Sequence, residues 1–261
     1  MKNELKVTGI QADLYWENPT KNIAFFENNI NNLDKDTDLV VLPEMFTTGF
    51  TMQPKNVAEP MDGYSVSWMR EMAEKHQIAI CGSLVIAEND KFYNRFVFVH
   101  PNKELETYNK RHSFTLAGEN KVYTSGVERI IINYKGWRIC PLICYDLRFP
   151  VWARNTDNYD LLLFMANWPV TRIKAWETLL KARAIENMSY VIGVNRTGKD
   201  ASNYEYSGNS LIVDFLGEEL SSLNYNEIGI VTSVITLDKQ NIVRDKLGFL
   251  NDKDSFTIYQ D

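Results

Sequence analysis

Short apolar runs of strand length alternate along this chain with longer segments whose apolar residues recur at helical spacing. The runs LVVL at residues 39–42 and LLLFMA at residues 161–166 are continuous and apolar, as buried strands are. The segment ENPTKNIAFFENNINNL instead spaces its apolar residues three or four apart, which predicts a helix: Ile23, Phe26, Ile30 and Leu33. This alternation is typical of an α/β fold.

Further elements follow from the same patterns. Helices are predicted over residues 65–77 and 172–188, and WRICPLICYD, residues 137–146, is interpreted as one strand. IAICGSLVIAE and NRFVFVHP are expected to pair antiparallel, with AENDKFY as the turn between them. YVIGVNRTG, GNSLIVDFLG and EIGIVTSVIT are expected to close the chain with strands. A chain of 261 residues can form one α/β domain, so a single domain over residues 1–261 is expected.

Composition excludes several classes of partner. The net charge of -6 and the pI near 5.3 argue against nucleic acid, which requires a basic face. No apolar run reaches the roughly 18 residues of a membrane span, and the first residues resemble a strand rather than a signal peptide. A cytoplasmic location is therefore expected, with no membrane partner.

The cysteines indicate individual thiols rather than a framework. Cys81, Cys140 and Cys144 are odd in number and lack CxxC spacing, so neither disulfides nor a zinc site is indicated. Free cysteine is most often a small core residue. Cys144, however, is the last apolar residue of its predicted strand, and ligands of open α/β sheets bind beyond the carboxyl ends of strands. This position indicates a nucleophile.

Two other charged residues follow apolar segments in the same way: Glu44 after LVVLP and Lys110 in TYNKRHSF. Each alone would be interpreted as a solvated side chain. Together with Cys144 they can attack a carbonyl bonded to nitrogen. Glu44 would accept the thiol proton, while Lys110 and the backbone N–H of Tyr145 would bind the oxyanion. This chemistry requires neither a metal nor a cofactor.

Five blocks, in this order, resemble the signature segments of the nitrilase superfamily of carbon-nitrogen hydrolases: LPEMFTTGF, YNKRHSF, LICYDLRFPVWARN, FMANWP and LLKARAIENMSYVIGVNRTG. The resemblance implies a four-layer α-β-β-α sandwich that pairs with a second copy as a homodimer. It implies a catalytic triad of Glu44, Lys110 and Cys144. It also implies a second glutamate behind the lysine, which falls on Glu119 by its spacing to Gly126.

The block CYDLRFP is similar to the omega-amidase branch, which hydrolyses the terminal amide of 2-oxo acids such as 2-oxoglutaramate. A small-molecule amide is thus the implied substrate. Within the superfamily, a carbamoyl-amide or nitrile hydrolase is the alternative. Outside it, a noncatalytic scaffold would have lost a triad member, and a redox protein would need a resolving thiol. Cys140 lies about 13 Å from Cys144 along an extended strand, too far for a disulfide.

Other residues are candidates for the substrate site. Phe46, Phe114 and Trp168 follow strand ends and are interpreted either as walls of a substrate pocket or as core. Arg172 is a candidate for gripping a substrate carboxylate through two parallel hydrogen bonds, the alternative being a solvated helix start.

The residues around the nucleophile have local interpretations. Asp146 and Arg148 are expected to brace the nucleophile turn. His112 is an alternative base for a papain-like Cys-His pair, although the sequence indicates no Asn or Asp nearby to orient it. A structural or rim histidine is the favoured interpretation.

Overall fold

Fourteen strands and five α-helices make up the computed structural model, which describes residues 3–259. The strands are β1 (Glu4–Gln11), β2 (Leu39–Val41), β3 (Ala79–Glu88), β4 (Lys91–Val99), β5 (Leu105–Asn109), β6 (Ile132–Tyr134), β7 (Trp137–Ile143), β8 (Leu161–Ala166), β9 (Tyr190–Asn195), β10 (Thr197–Lys199), β11 (Glu205–Ser207), β12 (Leu211–Val213), β13 (Glu219–Ser222) and β14 (Gly229–Thr236). The helices are α1 (Pro19–Asn31), α2 (Tyr64–His76), α3 (Pro150–Ala153), α4 (Ile173–Asn187) and α5 (Leu237–Leu247).

Twelve of the strands form two six-stranded sheets of similar design. The first has the order β14-β1-β2-β3-β4-β5 and the second the order β13-β12-β9-β8-β7-β6, while β10 and β11 form a separate hairpin. Strands β1, β2 and β3 are parallel, and so are β7, β8 and β9. Because β4 is antiparallel to both β3 and β5, β5 runs in the direction of β2 and ends at the same edge. Loops after β2 and β5 can therefore meet.

The two sheets pack face to face, and helices cover their outer faces. Val7 and Phe98 of the first sheet share one buried cluster with Ile139 of the second. Helices α1 and α2 cover the outside of the first sheet in a separate cluster. Helix α4 lies so close to β9 that a Cβ at Gly193 would stand 2.4 Å from the Leu180 side chain. The predicted four-layer α-β-β-α sandwich is confirmed.

The first helix starts as its sequence predicts. Pro19 is its first residue, and the Asn18 side chain accepts a hydrogen bond of 3.1 Å from the backbone N–H of Lys21. Its apolar stripe, which includes Phe26, is buried. Among residues 3–259, no helix combines the length and the apolar character needed to cross a membrane.

Two local predictions are wrong. The chain does not close with strands, because α5 follows β14. The one fully buried residue of this helix is Gln240, so its sequence lacks the apolar stripe that would have predicted a helix. The turn between β3 and β4 is also shorter than predicted, with only Asn89 and Asp90 between the strands. Both have left-handed φ, 51° and 59°, as two-residue hairpin turns that follow the strand twist require.

Candidate active site

The structure brings the candidate catalytic residues together at one edge of the paired sheets. Glu44 lies just beyond β2, Lys110 directly follows β5, and Cys144 directly follows β7. Because β2 and β5 end at the same edge, Lys110 Nζ lies 2.8 Å from Glu44 Oε1. The side chain of Glu119 completes the cluster, with each of its two oxygens 3.0 Å from Lys110 Nζ.

Cys144 does not extend the strand as predicted. Strand β7 ends at Ile143, and Cys144 opens a 3-10 turn over Cys144–Arg148 with a left-handed φ of 44°. A non-glycine residue with such a φ is held there by its surroundings. Here Asp146 Oδ2 accepts hydrogen bonds from the backbone N–H of Ile143, at 2.9 Å, and from the hydroxyl of Tyr108, at 2.8 Å. Asp146 thus braces the turn, as the sequence predicted.

The charged cluster is almost closed to solvent. The relative exposure of the side chains is 2% for Lys110, 0% for Glu44 and 1% for Glu119. Burial by itself lowers the pKa of Lys110, but the carboxylates of Glu119 and Glu44 outweigh it, so the pKa is raised. Burial raises the pKa of Glu119; Lys110 opposes this and Glu44 adds to it. The lysine therefore stays an ammonium.

The surroundings of Cys144 favour its thiol form over the thiolate. Burial raises its pKa well above the ordinary value, and the carboxylate of Glu44 raises it further, while Lys110 lowers it. With two carboxylates and one ammonium at hand, another negative charge is disfavoured, so the thiol proton must move to Glu44 when the nucleophile attacks.

Two asparagines that the sequence analysis did not single out hold Glu44. Asn94 Nδ2 donates to Glu44 Oε1 at 2.8 Å and to Glu119 Oε1 at 3.2 Å, and Ser83 donates to Asn94 Oδ1. The backbone N–H of Asn167 donates to Glu44 Oε2 at 2.9 Å. A polar residue within an apolar strand was the available signal for Asn94, and the block FMANWP contained Asn167.

The backbone of Gly126 packs against Asn109 and Lys110 at the end of β5. Its backbone N–H donates to the carbonyl of Lys110 at 2.8 Å. A Cβ at this position would stand 2.2 Å from the carbonyl oxygen of Asn109, so only glycine fits without displacing the chain. The glycine at position 126 thus has a steric cause.

A cavity of about 450 Å³ opens onto Cys144. Aromatic and apolar side chains form most of its wall, and four of the predicted substrate-site residues line it: Phe114, Tyr145, Trp168 and Arg172. The ring of Phe114 meets that of Tyr145 edge to face, with centroids 5.0 Å apart. The guanidinium carbon of Arg172 stands 5.1 Å from the centroid of the Phe114 ring. A cation therefore lies in the same cavity as the thiol.

Phe46 does not line this cavity, so its interpretation as a pocket wall is corrected. The side chain is fully buried on the helix side of the first sheet, where its ring lies 5.5 Å from that of Phe26 and 5.9 Å from that of Trp68. The preceding residue, Met45, has a left-handed φ of 44°, so the chain turns after the strand end from which a pocket position was inferred.

Two expectations about residues near the nucleophile are wrong: that no Asn or Asp lies near His112, and that Arg148 braces the turn. His112 does have an acidic neighbour: its Nδ1 lies 2.8 Å from Asp146 Oδ1, and its ring stacks on Phe149 at 3.6 Å. It is absent from the cavity wall as the described residues form it. Arg148 does line the cavity, with its guanidinium carbon 4.9 Å from the ring centroid of Trp168. It is therefore a cavity residue, not a brace of the turn.

Comparison with known proteins agrees with the fold and the blocks. The family model described as carbon-nitrogen hydrolase matches residues 6–244. An omega-amidase named YafV from Yersinia enterocolitica is 40% identical, over 97% of this chain and 98% of its own. A 2-oxoglutaramate amidase from Bacillus subtilis is 34% identical, over 94% and 96%.

Among solved structures, XC1258 from Xanthomonas campestris superposes with a TM-score of 0.96 at 38% identity, covering 99% of this chain and 100% of its own. That structure is described as a CN-hydrolase superfamily protein with an arsenic adduct in its active site. Fold and site together define an α-β-β-α protein in which a buried Glu-Lys-Glu cluster adjoins a cysteine at the carboxyl edge of paired sheets. The chain belongs to the carbon-nitrogen hydrolase family.

Proposed function

We propose that this protein is an omega-amidase that converts the terminal amide of a small 2-oxo acid, of the 2-oxoglutaramate type, to a carboxylate and ammonia. The observation that carries the proposal is that Cys144 and Arg172 line the same cavity. Such a cavity suits a small amide with an acid group at its other end. The names of the Yersinia and Bacillus relatives support the same substrate class.

In the acylation half-reaction, Glu44 accepts the thiol proton of Cys144 as sulfur bonds to the amide carbon. The oxyanion of the tetrahedral intermediate accepts hydrogen bonds from Lys110 Nζ and from the backbone N–H of Tyr145. Glu44 then returns the proton to the amide nitrogen, the carbon-nitrogen bond breaks, and ammonia leaves. A thioester between the acyl group and Cys144 remains.

In the deacylation half-reaction, Glu44 takes a proton from water as the water oxygen attacks the thioester carbon. The second oxyanion uses the same two donors, and collapse of the intermediate breaks the carbon-sulfur bond. Glu44 delivers its proton to the departing sulfur, which restores the thiol. One water is consumed, and the products are the carboxylic acid and ammonia.

Glu119 and Arg172 have supporting parts in the proposal. Glu119 contacts Lys110 with both oxygens, which keeps the ammonium charged and aimed, so Glu119 is a positioning residue. Arg172 holds the substrate carboxylate at the far side of the cavity, while Phe114, Tyr145 and Trp168 exclude water around the carbon chain.

Ammonia release from a panel of substrates tests the proposal. The panel contains 2-oxoglutaramate, glutamine as the matched compound with an amino group in place of the oxo group, carbamoyl amino acids and nitriles. We expect the highest kcat/KM for the 2-oxo acid amide. Faster turnover of the carbamoyl compounds or the nitriles would assign the protein to another activity of the superfamily.

We further propose that the chain acts as one domain, as a homodimer, and in the cytoplasm. Support for the dimer comes from three apolar side chains of which half or more is exposed: Val151, Ile185 and Leu216. Support for the location comes from three buried free thiols, one of them the proposed nucleophile, which suit a reducing compartment. Light scattering after size-exclusion chromatography measures the mass, and Ile185→Glu should lower it if this face forms the dimer.

A further inference from the structure

The cavity holds a second arginine whose charge the proposed mechanism does not yet use. Arg148 ends the 3-10 turn that begins at Cys144, and Arg172 ends another 3-10 turn over Val170–Arg172. Both line the cavity, and both are only half-buried. The cavity wall therefore carries two guanidinium groups.

Each of the two arginines lies over an aromatic ring of the cavity wall. The guanidinium of Arg148 lies over the ring of Trp168, and the indole N–H of Trp168 donates to the backbone carbonyl of Arg172 at 2.9 Å. The guanidinium of Arg172 lies over Phe114. Stacking on a ring holds a guanidinium by its face and leaves its N–H groups directed outward in the plane. Both cations are thus positioned to donate to a ligand.

Neither arginine has a carboxylate partner among residues 3–259. Five other arginines of this chain do, in the pairs Arg95–Glu88, Arg129–Asp157, Arg183–Glu186, Arg196–Asp13 and Arg244–Asp160. Within the cavity wall, as those residues form it, Asp200 is the one acidic side chain. Its oxygens accept from the backbone N–H groups of Ser202 and Tyr204 and from the hydroxyl of Tyr206. The two guanidinium groups are therefore available to bind an anionic ligand that enters the cavity.

We infer that Arg148 is a specificity residue that, together with Arg172, binds the 2-oxo carboxylate end of the substrate. This inference rests on the proposed function. A 2-oxo carboxylate presents three oxygens that can lie in one plane, two from the carboxylate and one from the ketone. One guanidinium fork matches two of them in parallel hydrogen bonds. The third oxygen requires a second donor, which Arg148 supplies.

The inference separates substrates that differ by single groups. A saturated acid amide of the same length keeps the carboxylate but lacks the ketone, and an alkyl amide lacks both. Removal of Arg148 should therefore cost most for the 2-oxo acid amide, less for glutaric acid monoamide, and little for pentanamide. A brace of the nucleophile turn would instead affect all three alike.

Steady-state kinetics of Arg148→Met, Arg148→Lys and the surface control Arg70→Met on these three amides test it. Arg70 is exposed on α2, far from the cavity wall in sequence and fold. For Arg148→Met we expect KM for 2-oxoglutaramate to rise by about tens-fold, a smaller rise for the monoamide, and the smallest loss of kcat/KM for pentanamide. Arg148→Lys keeps the charge but not the fork and should fall between Arg148→Met and the unaltered protein.

The outcomes distinguish this inference from the proposed function. If the unaltered protein does not hydrolyse 2-oxoglutaramate, the proposed function fails and the inference fails with it. If the unaltered protein hydrolyses it and Arg148→Met leaves its KM unchanged, only the inference is overturned. An equal loss on all three amides also overturns it, since that result marks a general defect. Thermal unfolding of each variant, with pentanamide turnover as the internal check, shows that the fold is retained.

Discussion

Asn167 and Glu44 are joined across the two sheets by both the backbone and the side chain of the asparagine. The backbone N–H of Asn167 donates to Glu44 Oε2 at 2.9 Å, and its Nδ2 donates to the Glu44 carbonyl at 2.7 Å and to Oε2 at 3.4 Å. Asn167 follows β8 of the second sheet, whereas Glu44 follows β2 of the first. The carboxylate of Glu44, the proposed base, is therefore oriented by a residue that follows β8, the strand paired with β7, which precedes Cys144.

Asn167→Ala should lower kcat for the amide by about tenfold or more while changing KM little. It removes the Nδ2 donor to the Glu44 backbone carbonyl, at 2.7 Å, together with the longer bond to Oε2, and a hydrogen bond of this kind contributes about 0.5 to 1.5 kcal/mol. Stopped assays of ammonia release measure the effect. Asn28→Ala, at an exposed position of α1, is the matched control. An unchanged kcat in Asn167→Ala would show that Glu44 does not depend on this side chain.

Lys110→Ala should reduce kcat far more than His112→Ala. Loss of one oxyanion donor typically costs about 10² to 10³ in rate, and Lys110 also neutralises two buried carboxylates. His112 bonds to Asp146 and stacks on Phe149, so its loss weakens the brace and leaves the reacting groups in place. Stopped assays of ammonia release on both variants measure the difference in kcat. The reverse order would favour a papain-like Cys-His pair.

Cys144 should remain a thiol at neutral pH in the protein without substrate. Its folded pKa is raised, so the proton is retained as pH rises through the ordinary range of cysteine, and the thiolate forms only at more alkaline pH. The ultraviolet absorbance of thiolate, measured as the difference between the unaltered protein and Cys144→Ala during a pH titration, follows this directly. A thiolate signal that titrates below neutral pH would contradict the charge balance described for the cluster.

The sequence was most informative where a residue lies next to a strand end within a recognisable block. Glu44, Lys110 and Cys144 follow short apolar runs, and the order of the blocks carried the resemblance that implied the triad. The four-layer arrangement came from the resemblance, because periodicity gives the elements but not how two sheets face each other. The bonds of Asn94 and Asn167 to Glu44 depend on contacts between strands distant in sequence, which no local pattern contains.

The wrong predictions have local physical causes. Phe46 follows a left-handed residue, so its place just past a strand end does not direct its side chain into the cavity. Helix α5 buries a glutamine rather than an apolar stripe, and the helical pattern is therefore weak. Arg148 lies four residues from the nucleophile, and only the fold of the 3-10 turn decides whether such a side chain braces the turn or enters the cavity.

Arg172→Met should raise KM for 2-oxoglutaramate by about tens-fold and leave a short uncharged amide almost unaffected. A charge-assisted hydrogen bond to a carboxylate contributes roughly 1.5 to 3 kcal/mol, and the uncharged amide never makes it. Initial rates on both substrates measure the difference. Equal loss on both would indicate general damage to the site, and no loss on either would remove Arg172 from substrate binding.

Gly126→Ala should destabilise the fold and reduce kcat. The new Cβ would contact the Asn109 carbonyl at 2.2 Å, and relief of that clash must displace the strand end that carries Lys110. Overpacking of this kind costs about 1 to 3 kcal/mol. Gly229→Ala is the matched control, since its Cβ would meet only the Leu223 side chain at 3.2 Å. Chemical denaturation of both variants measures the cost, and equal stability would contradict the steric argument.

The central claim is that Cys144 forms the covalent intermediate while the other two thiols only pack. Cys81 and Cys140 are fully buried between the sheets, and burial raises the pKa of Cys140 to about 12. The most direct test is the rate of ammonia release from 2-oxoglutaramate by Cys144→Ala, Cys81→Ala and Cys140→Ala at matched folded concentration. We predict that Cys144→Ala has no turnover and that the other two retain most of theirs. Turnover by Cys144→Ala, or an equal loss in Cys140→Ala at unchanged stability, would contradict the assignment of Cys144 as the nucleophile.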